Sequence, residues 1–427
     1  MIIYNKQFFL ILMSLFPISI IIGSSISLTN TLLIVLIYLI IFFDEKHYKF
    51  IFKNNTIKIL LIIYLYLIAN SFFSLNFEIG LNRNIGFIRL IFLFISINYF
   101  FYSLQNNFRI FKVWTIILLI FVADVYFERF SGTNIFGWGA VEIDGIMQPN
   151  GLRVVSFFKD EPVAGAYLNS FIFLISGYLI TFLKRKYNNN FLFLIIVLVL
   201  FFSILITGER SNSLKAIFSL ILFISIIDII KPKKKLLIFI IVMGSLILTV
   251  SNSNYLKNRY ITQFYYYIVD KDSKNIKSSY YYQLYRSGYN VFKNAPLTGV
   301  GNKNYRIETC KSNLEKVIKL NYLCSTHPHQ IYFEFLSEHG LIGTIILIYL
   351  FFYLIFKNIK IILRSQNYIQ IGSFVYLLGV FLPLLPSGAF FSDFNITFFF
   401  INLSILYAIN KDTNIFFVEK KNKNSNF

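Results

Sequence analysis

The chain reads as an all-α polytopic membrane protein with about twelve transmembrane helices and one large loop, residues 252–337, between the ninth and tenth. Three observations carry that reading. Hydrophobic residues fill 56% of 427 positions and charged residues only 14%, more apolar surface than one soluble core can hide. Apolar runs long enough to cross a bilayer recur from end to end. The basic residues also sort onto alternate connections rather than spreading evenly.

The spans fall at roughly 8–26, 28–43, 59–76, 86–102, 113–130, 164–183, 191–207, 214–230, 236–251, 338–356, 368–385 and 395–410. With a cytoplasmic N-terminus, the inner segments are 1–7, 44–58, 103–112, 184–190, 231–235, 357–367 and 411–427. They hold twenty-one Lys and Arg, whereas the short outer segments hold five: Arg83, Arg129, Arg153, Lys159 and Arg210. The positive-inside rule then puts both termini in the cytoplasm. "KRK" at 184 and "KPKKK" at 231 are topological anchors on this view, so the net charge of +20 calls for no nucleic acid. The first span follows Lys6, lacks a following A-x-A site and meets a second span at once, so it reads as an anchor rather than a cleaved leader. Three regions result: a bundle of nine spans over 1–251, a loop subdomain over 252–337, and spans ten to twelve with a cytoplasmic tail over 338–427.

Within the loop, residues 252–330 carry twelve Lys or Arg against four acidic residues, a balance of +8. An outward cationic surface beside a membrane suits a diphosphate, or anionic phospholipid in general. Cys310 and Cys324 are the only cysteines, and outside the cytoplasm they can form a disulfide, contributing ~3 kcal/mol by loop closure. "YRSGYNVFKNAPLTGVGNKNY" (285–305) reads as a helix ended near Pro296, then a turn in which Gly299 and Gly301 permit close backbone approach. "DKD" at 270–272 is similar to the acidic pair of metal-dependent glycosyltransferases, but with no nucleotide-binding domain near it the run reads as a solvated turn.

"STHPHQIYFEFLSEHGLIG" (325–343) gathers three of the four histidines just before an apolar run. Pro328 holds His327 extended and opens a helix. Gln330, Glu334, Ser337 and Glu338 share one helical stripe, which predicts a short amphipathic helix at the outer interface with His329 at its head. Gly340 loosens the chain before the tenth span, and His339 falls at the lipid boundary. The histidines can be half a metal site, plain interfacial polar residues, or contain a general base near its working pH. Other outer span ends favour the base. "GLRVVSFFKDEPVAGAYL" (151–168) clusters Arg153, Lys159, Asp160 and Glu161. "TGERSNS" (207–213) puts Arg210 in a tight turn, and Arg286 lies in the large loop. Guanidinium groups beside a histidine make a pocket for a phosphate-bearing lipid.

"RVVSFFKDEPVAGAYL", "TGERS", "PLTGVG" and "HPHQIYFEFLSEHGLIG", in this order, resemble the O-antigen ligase and O-antigen polymerase superfamily, bacterial membrane proteins acting on undecaprenyl-diphosphate-linked glycans. Gln330 stands where that family usually has Asn. The resemblance implies a metal-independent, inverting glycosyltransferase on the periplasmic face of the inner membrane, with no cofactor. It makes His329 the base, and Arg210, Arg286 and Arg153 the diphosphate-binding arginines, with His327, Glu161 and Gln330 as supporting candidates. The implied partners are an undecaprenyl-diphosphate-linked donor, a glycan or lipid A core acceptor, and membrane lipid. The stretch from Arg153 leans toward a polymerase over a ligase. A transporter or flippase of the same lipids is the rival; it predicts internal repeats and midplane charges, of which Arg89 and Asp124 are the interior candidates.

Overall fold

The structure is a computed structural model that describes residues 2–104, 108–139, 142–143, 146–147, 153–159, 161–186, 190–263, 265, 279–310 and 319–417. Asp160, the 270–272 run and most of the C-terminal tail lie outside these residues. Eleven helices lead up to the large loop: α1 (Ile2–Ser14), α2 (Phe16–Ile22), α3 (Ser24–Asp44), α4 (Asn55–Ser71), α5 (Phe77–Ile85), α6 (Ile88–Leu104), α7 (Arg109–Ser131), α8 (Ala164–Lys186), α9 (Asn190–Ile206), α10 (Arg210–Ile226) and α11 (Pro232–Asn252). A two-stranded ribbon, β1 (Glu142–Ile143) against β2 (Ile146–Met147), lies between α7 and α8. Beyond α11 come α12 (Asn254–Lys257), a π-helical turn (Asn258–Thr262), α13 (Tyr280–Asn294) and α14 (Tyr305–Cys310). The chain returns to the bundle as α15 (Ile331–Phe356), α16 (Ile359–Ser365), α17 (Tyr368–Val380) and α18 (Asp393–Ala408).

Among the described residues, six helical stretches are long and apolar enough to cross a membrane: Ser24–Asp44, Phe77–Leu104, Arg109–Ser131, Ala164–Leu183, Pro232–Asn252 and Ile331–Ser365. A pair bent by 80°, His47–Lys53 with Asn55–Ser71, makes a seventh if counted as one span. The chain is thus a polytopic α-helical membrane protein. The difference from twelve has physical causes. The expected span at 8–26 is broken at Leu15 and at Gly23, whose φ is 146°. The apolar runs near 191–207, 368–385 and 395–410 form helices of 17, 13 and 16 residues, Asn190–Ile206, Tyr368–Val380 and Asp393–Ala408.

α8 and α17 cross at the centre of the bundle through glycines, because Cβ atoms on Gly177 and Gly372 would strike the facing backbones of Tyr368 and Phe173. Small residues at such crossings let helices pack closely where no hydrophobic effect drives them together. α18 joins this core by Asn402, which donates to the Ser170 carbonyl at 3.0 Å. α11 stands apart, with only Val242 and Leu246 buried.

The amphipathic helix expected after His329 exists, but its setting differs. Gln330 is the N-cap of α15, its side-chain oxygen accepting from the N–H groups of Tyr332 and Phe333 at 2.8 and 3.0 Å. The polar stripe Gln330, Glu334, Ser337 and Glu338 is buried rather than facing solvent. His339 is also fully buried, packed between Phe335 and Phe391, with Nδ1 3.3 Å from the Tyr66 hydroxyl. It is not at the lipid boundary: the stripe turns inward because the loop segments lie over it.

Gly340 breaks α15 with φ 63° and ψ −169°, a conformation open almost only to glycine. The "PLTGVG" segment fills the break. Val300 N–H donates to the Ser337 carbonyl and Gly301 N–H to that of Glu338, both at 2.9 Å, while Leu341 N–H donates to Pro296 at 2.7 Å. Gly299, with φ 69°, lets this strand-like segment run against the backbone of Glu338 and His339. A Cβ on Gly340 would collide with the Leu297 carbonyl. Gly340→Ala should therefore cost about 1–3 kcal/mol from backbone conformation alone. It should lower the thermal unfolding midpoint in detergent, and an unchanged midpoint would show that the break is not under this constraint.

Candidate functional site

Two adjoining cavities open where the loops meet the bundle. The first, of about 310 Å³, is basic: Arg153, Arg210, Lys215 and Arg259 line it with a single acid, Glu209, and His329 at its edge. The second, of about 840 Å³, is balanced, with Arg83, Arg89, Lys159 and Lys303 facing Glu161, Glu334, Glu338 and Asp393, and His327 in its wall. Val163, Gly388 and Asn395 line both. The structure thus brings Arg153, Arg210 and His329 together, and puts His327 and Glu161 next door. Arg286 is not in either lining; it is exposed on α13. Gln330 acts as the helix cap.

Each cation is aimed by local backbone. Arg210 is the first residue of α10, so the amides of that helix start face the cavity beside it, a setting suited to an anion. Arg259 sits in the π-helical turn, a kind of irregularity frequent at functional sites. Its Nε donates to the Gly208 carbonyl at 2.8 Å and its terminal nitrogen to Gln263 at 2.6 Å. Tyr260 ties the same turn to α9 and α10, donating to the Leu205 carbonyl at 2.8 Å and meeting Ser213 Oγ at 2.6 Å. One turn earlier, Tyr255 lies beneath the guanidinium of Arg129, 3.1 Å from ring centre to carbon.

Glu209, the residue before Arg210, accepts from the Gly165 N–H at the start of α8 and from Asn212 at 2.7 Å. Burial pushes its carboxyl up to about 7, against the pull of these hydrogen bonds and of Arg153. It partly offsets four positive charges in a small volume.

Arg153 is held by a clamp on the C-terminal end of α7. Glu128 accepts the N–H groups of Val155 and Ser156 at 2.9 and 2.5 Å. Asp124 accepts the Ser156 hydroxyl at 2.5 Å and the Ile135 N–H at 3.1 Å. From the other side, Val154 N–H donates to the Thr207 carbonyl at 3.0 Å, which fixes the Arg153 loop to the Arg210 turn. Ser156 and Lys159 both take positive φ, 50° and 58°, inside this over-determined loop. Asp124, an interior-charge candidate from sequence, therefore has a structural partner. Arg89 does too: with Arg83 it pairs to Asp393, at 2.5 and 3.1 Å.

The rings of His327 and His329 lie with centres 4.0 Å apart and planes tilted by 37°. His327 is fixed, Nε2 3.2 Å from the Ser387 carbonyl and Nδ1 2.9 Å from the Thr326 hydroxyl, so Nε2 carries the proton and Nδ1 accepts. Burial first, then its neighbour His329, push His327 down to about 4. Burial also holds His329 below the usual 6.5. His329 takes φ 54°, and its carbonyl accepts from Ser387 N–H at 2.9 Å, so its half-buried ring sits between the 386–390 loop and the basic cavity. Burial thus favours the neutral form of both rings at pH 7. Among the described residues no group of three or more His, Cys, Asp or Glu is arranged for a metal ion.

Cys310 and Cys324 form a disulfide with Cα atoms 4.6 Å apart. It links α14 to the stretch leading into Thr326 and His327. Lys215, Arg259 and Glu209 were absent from the sequence-derived site. Lys215 hides in an apolar run, Arg259 in a polar stretch without a motif, and Glu209 beside the more conspicuous arginine.

Glu128→Ala would strand two buried backbone N–H groups, at about 1–3 kcal/mol each. Limited proteolysis between 153 and 163 should become faster than in wild type, with Glu128→Gln intermediate because one acceptor oxygen remains. Equal cleavage in all three would mean that the clamp does not hold the loop.

No curated protein matches the chain in a search of its sequence. Residues 195–348, which carry Glu209, Arg210, Lys215, Arg259 and His329, match the family described as O-Antigen ligase. Over this stretch the chain is similar to that family, which supports the resemblance to the O-antigen ligase and polymerase superfamily.

Proposed function

We propose that the protein is an integral-membrane glycosyltransferase that transfers or polymerises undecaprenyl-diphosphate-linked oligosaccharide. The observation that carries this reading is the convergence of Arg153, Arg210, Lys215 and Arg259 on one small cavity whose edge is a histidine whose neutral form burial favours. A diphosphate matches that charge, and the adjoining larger cavity has room for an acceptor glycan. In the reaction, an acceptor hydroxyl attacks the anomeric carbon of the donor while His329 takes its proton. The bond from that carbon to the diphosphate oxygen breaks, and undecaprenyl diphosphate leaves with the electron pair. A single displacement inverts the anomeric centre. The guanidinium groups of Arg153, Arg210 and Arg259 are preorganised for the charge that grows on the leaving oxygen, so no metal ion is needed. His327 lies against the base and excludes water from one face.

The twelve-span topology belongs to the same proposal, with both termini cytoplasmic and 252–337 periplasmic. So does the division into 1–251, 252–337 and 338–427. The uncharged balance of the second cavity agrees with a polymerase, whose acceptor is another lipid-linked repeat, better than with a ligase to phosphorylated lipid A core.

His329→Ala should lower transfer about 10²–10⁴-fold in reconstituted protein while donor binding persists. Wild-type turnover in that variant would return the transporter reading to the front. Arg210→Lys keeps a charge but loses the bidentate fork, so donor KM should rise about tenfold or more. EDTA should leave the rate unchanged. The sign of the pH dependence follows from the depressed histidine: the base stays deprotonated as pH falls to the ordinary 6.5. A kcat profile should thus be flat from about pH 8 to 6.5 and decline below. A fall already beginning near 7.5 would point to a different base.

A further inference from the structure

The basic cavity, about 310 Å³, is at the small end of ligand sites, which run from about 300 to 1,000 Å³. It has room for a diphosphate and the sugar next to it. The remaining sugars of a lipid-linked oligosaccharide must lie outside, and α13 begins at the cavity wall.

Tyr281 of α13 lines the cavity. Tyr281, Tyr285 and Tyr289 follow at four-residue spacing, so they form one row along the helix, leading away from the cavity. The ring centres of Tyr281 and Tyr285 are 6.3 Å apart. Tyr285 is backed by Phe333, stacked at 5.3 Å with planes 27° apart, and its hydroxyl donates to the Leu384 carbonyl at 3.3 Å. Tyr289 is 43% exposed, and Lys293 Nζ lies 4.8 Å from its ring centre. Arg286 is exposed beside the row. Leu284, Ser287, Gly288 and Val291 are buried and seat the helix, and the tyrosine row runs along the flank of that face, from the half-buried Tyr281 and Tyr285 to the exposed Tyr289 and Arg286.

Flat, stiff rings with a polar tip are suited to a ligand that is apolar on one face and hydroxylated at its rim. A pyranose ring is such a ligand: its axial C–H groups pack on an aromatic face while its hydroxyls reach neighbouring donors. We infer that this flank of α13, with Tyr285, Tyr289 and Arg286 continuing the row from Tyr281, is a glycan subsite that holds the sugars of the donor beyond the first. This rests on the assignment of the basic cavity to the donor diphosphate. It also gives Arg286 a role, contact with sugar hydroxyls, that its distance from the cavity lining denies it as a diphosphate ligand. Tyrosines can also anchor a helix at a membrane interface. Here the row starts inside a polar cavity and is flanked by Arg286 and Lys293, which favours the glycan.

The test uses the full chain in nanodiscs and two probes, undecaprenyl diphosphate and the same lipid carrying chitotetraose. Stacking reads ring faces rather than a linkage, so this oligosaccharide is a fair probe. In wild type the tetrasaccharide should tighten binding about tenfold over the bare lipid. Tyr289→Ala and Arg286→Ala should each lose most of that gain with bare-lipid affinity unchanged, while Tyr289→Phe keeps it. The subsite is overturned if the tetrasaccharide adds nothing in wild type, if the gain survives both alanine variants, or if both probes weaken equally, as loss of a membrane anchor would produce. Failure of bare undecaprenyl diphosphate to bind wild type would instead overturn the donor assignment itself, and the subsite with it.

Discussion

Four buried or half-buried glutamates accept backbone N–H groups from loops and helix starts, and the loop-bearing end of the molecule depends on them. Glu128 takes Val155 and Ser156, Glu209 takes Gly165, Glu334 takes Phe390 with both oxygens at 2.9 Å, and Glu338 takes Tyr305 at 3.2 Å. Irregular backbone at the edge of a bilayer cannot turn to solvent on every side, so its donors must be met from within. A carboxylate is the strongest acceptor available and serves two donors at once. Three of them, Glu209, Glu334 and Glu338, also lie among the basic side chains of the two cavities. They both hold the loops and moderate the repulsion between the cations those loops present.

Charge divides the pocket. Four cations against one acid on one side, and an even balance on the other, meet at a pair of histidines whose ring centres are 4.0 Å apart. Because field lines concentrate in small low-dielectric clefts, the basic cavity attracts an anion more strongly than the larger, balanced one. His329 lines the first cavity and His327 the second, so the pair stands where the two adjoin.

The sequence revealed what depends on composition and local pattern. Apolar runs announced the membrane, and Arg153, Arg210 and His329, which line one cavity, each sit in a compact polar motif at an expected span end. What escaped depends on the third dimension. Arg259 reaches the cavity only through a π-helical turn tied to Gly208, a geometry no local pattern signals. Lys215 looks like a stray charge in a span. The stripe through Glu334 and Glu338 has the spacing of a solvent-facing helix side, and only the folded loops above it show that it is buried. Arg286 has the chemistry of a phosphate ligand but lies on the outward side of its helix. Helix breaks at Leu15 and Gly23 cut a hydropathy run that looks continuous.

α11 has one further consequence. It is 21 residues long, about 31 Å, and touches the rest of the bundle so little that lipid surrounds most of it. At its C-terminal end it carries the short α12 and then Arg259, whose anchor to Gly208 fixes one end of the assembly. At the other end Lys235 Nζ donates to the Ser225 carbonyl of α10 at 2.8 Å, a single side-chain tie on a flexible stem. A thinner or thicker membrane would tilt α11 about that fixed point, and any mismatch would be felt first at the junction near Ser253. The choice of acyl-chain length in a reconstitution is therefore a variable acting on this site, not a neutral background.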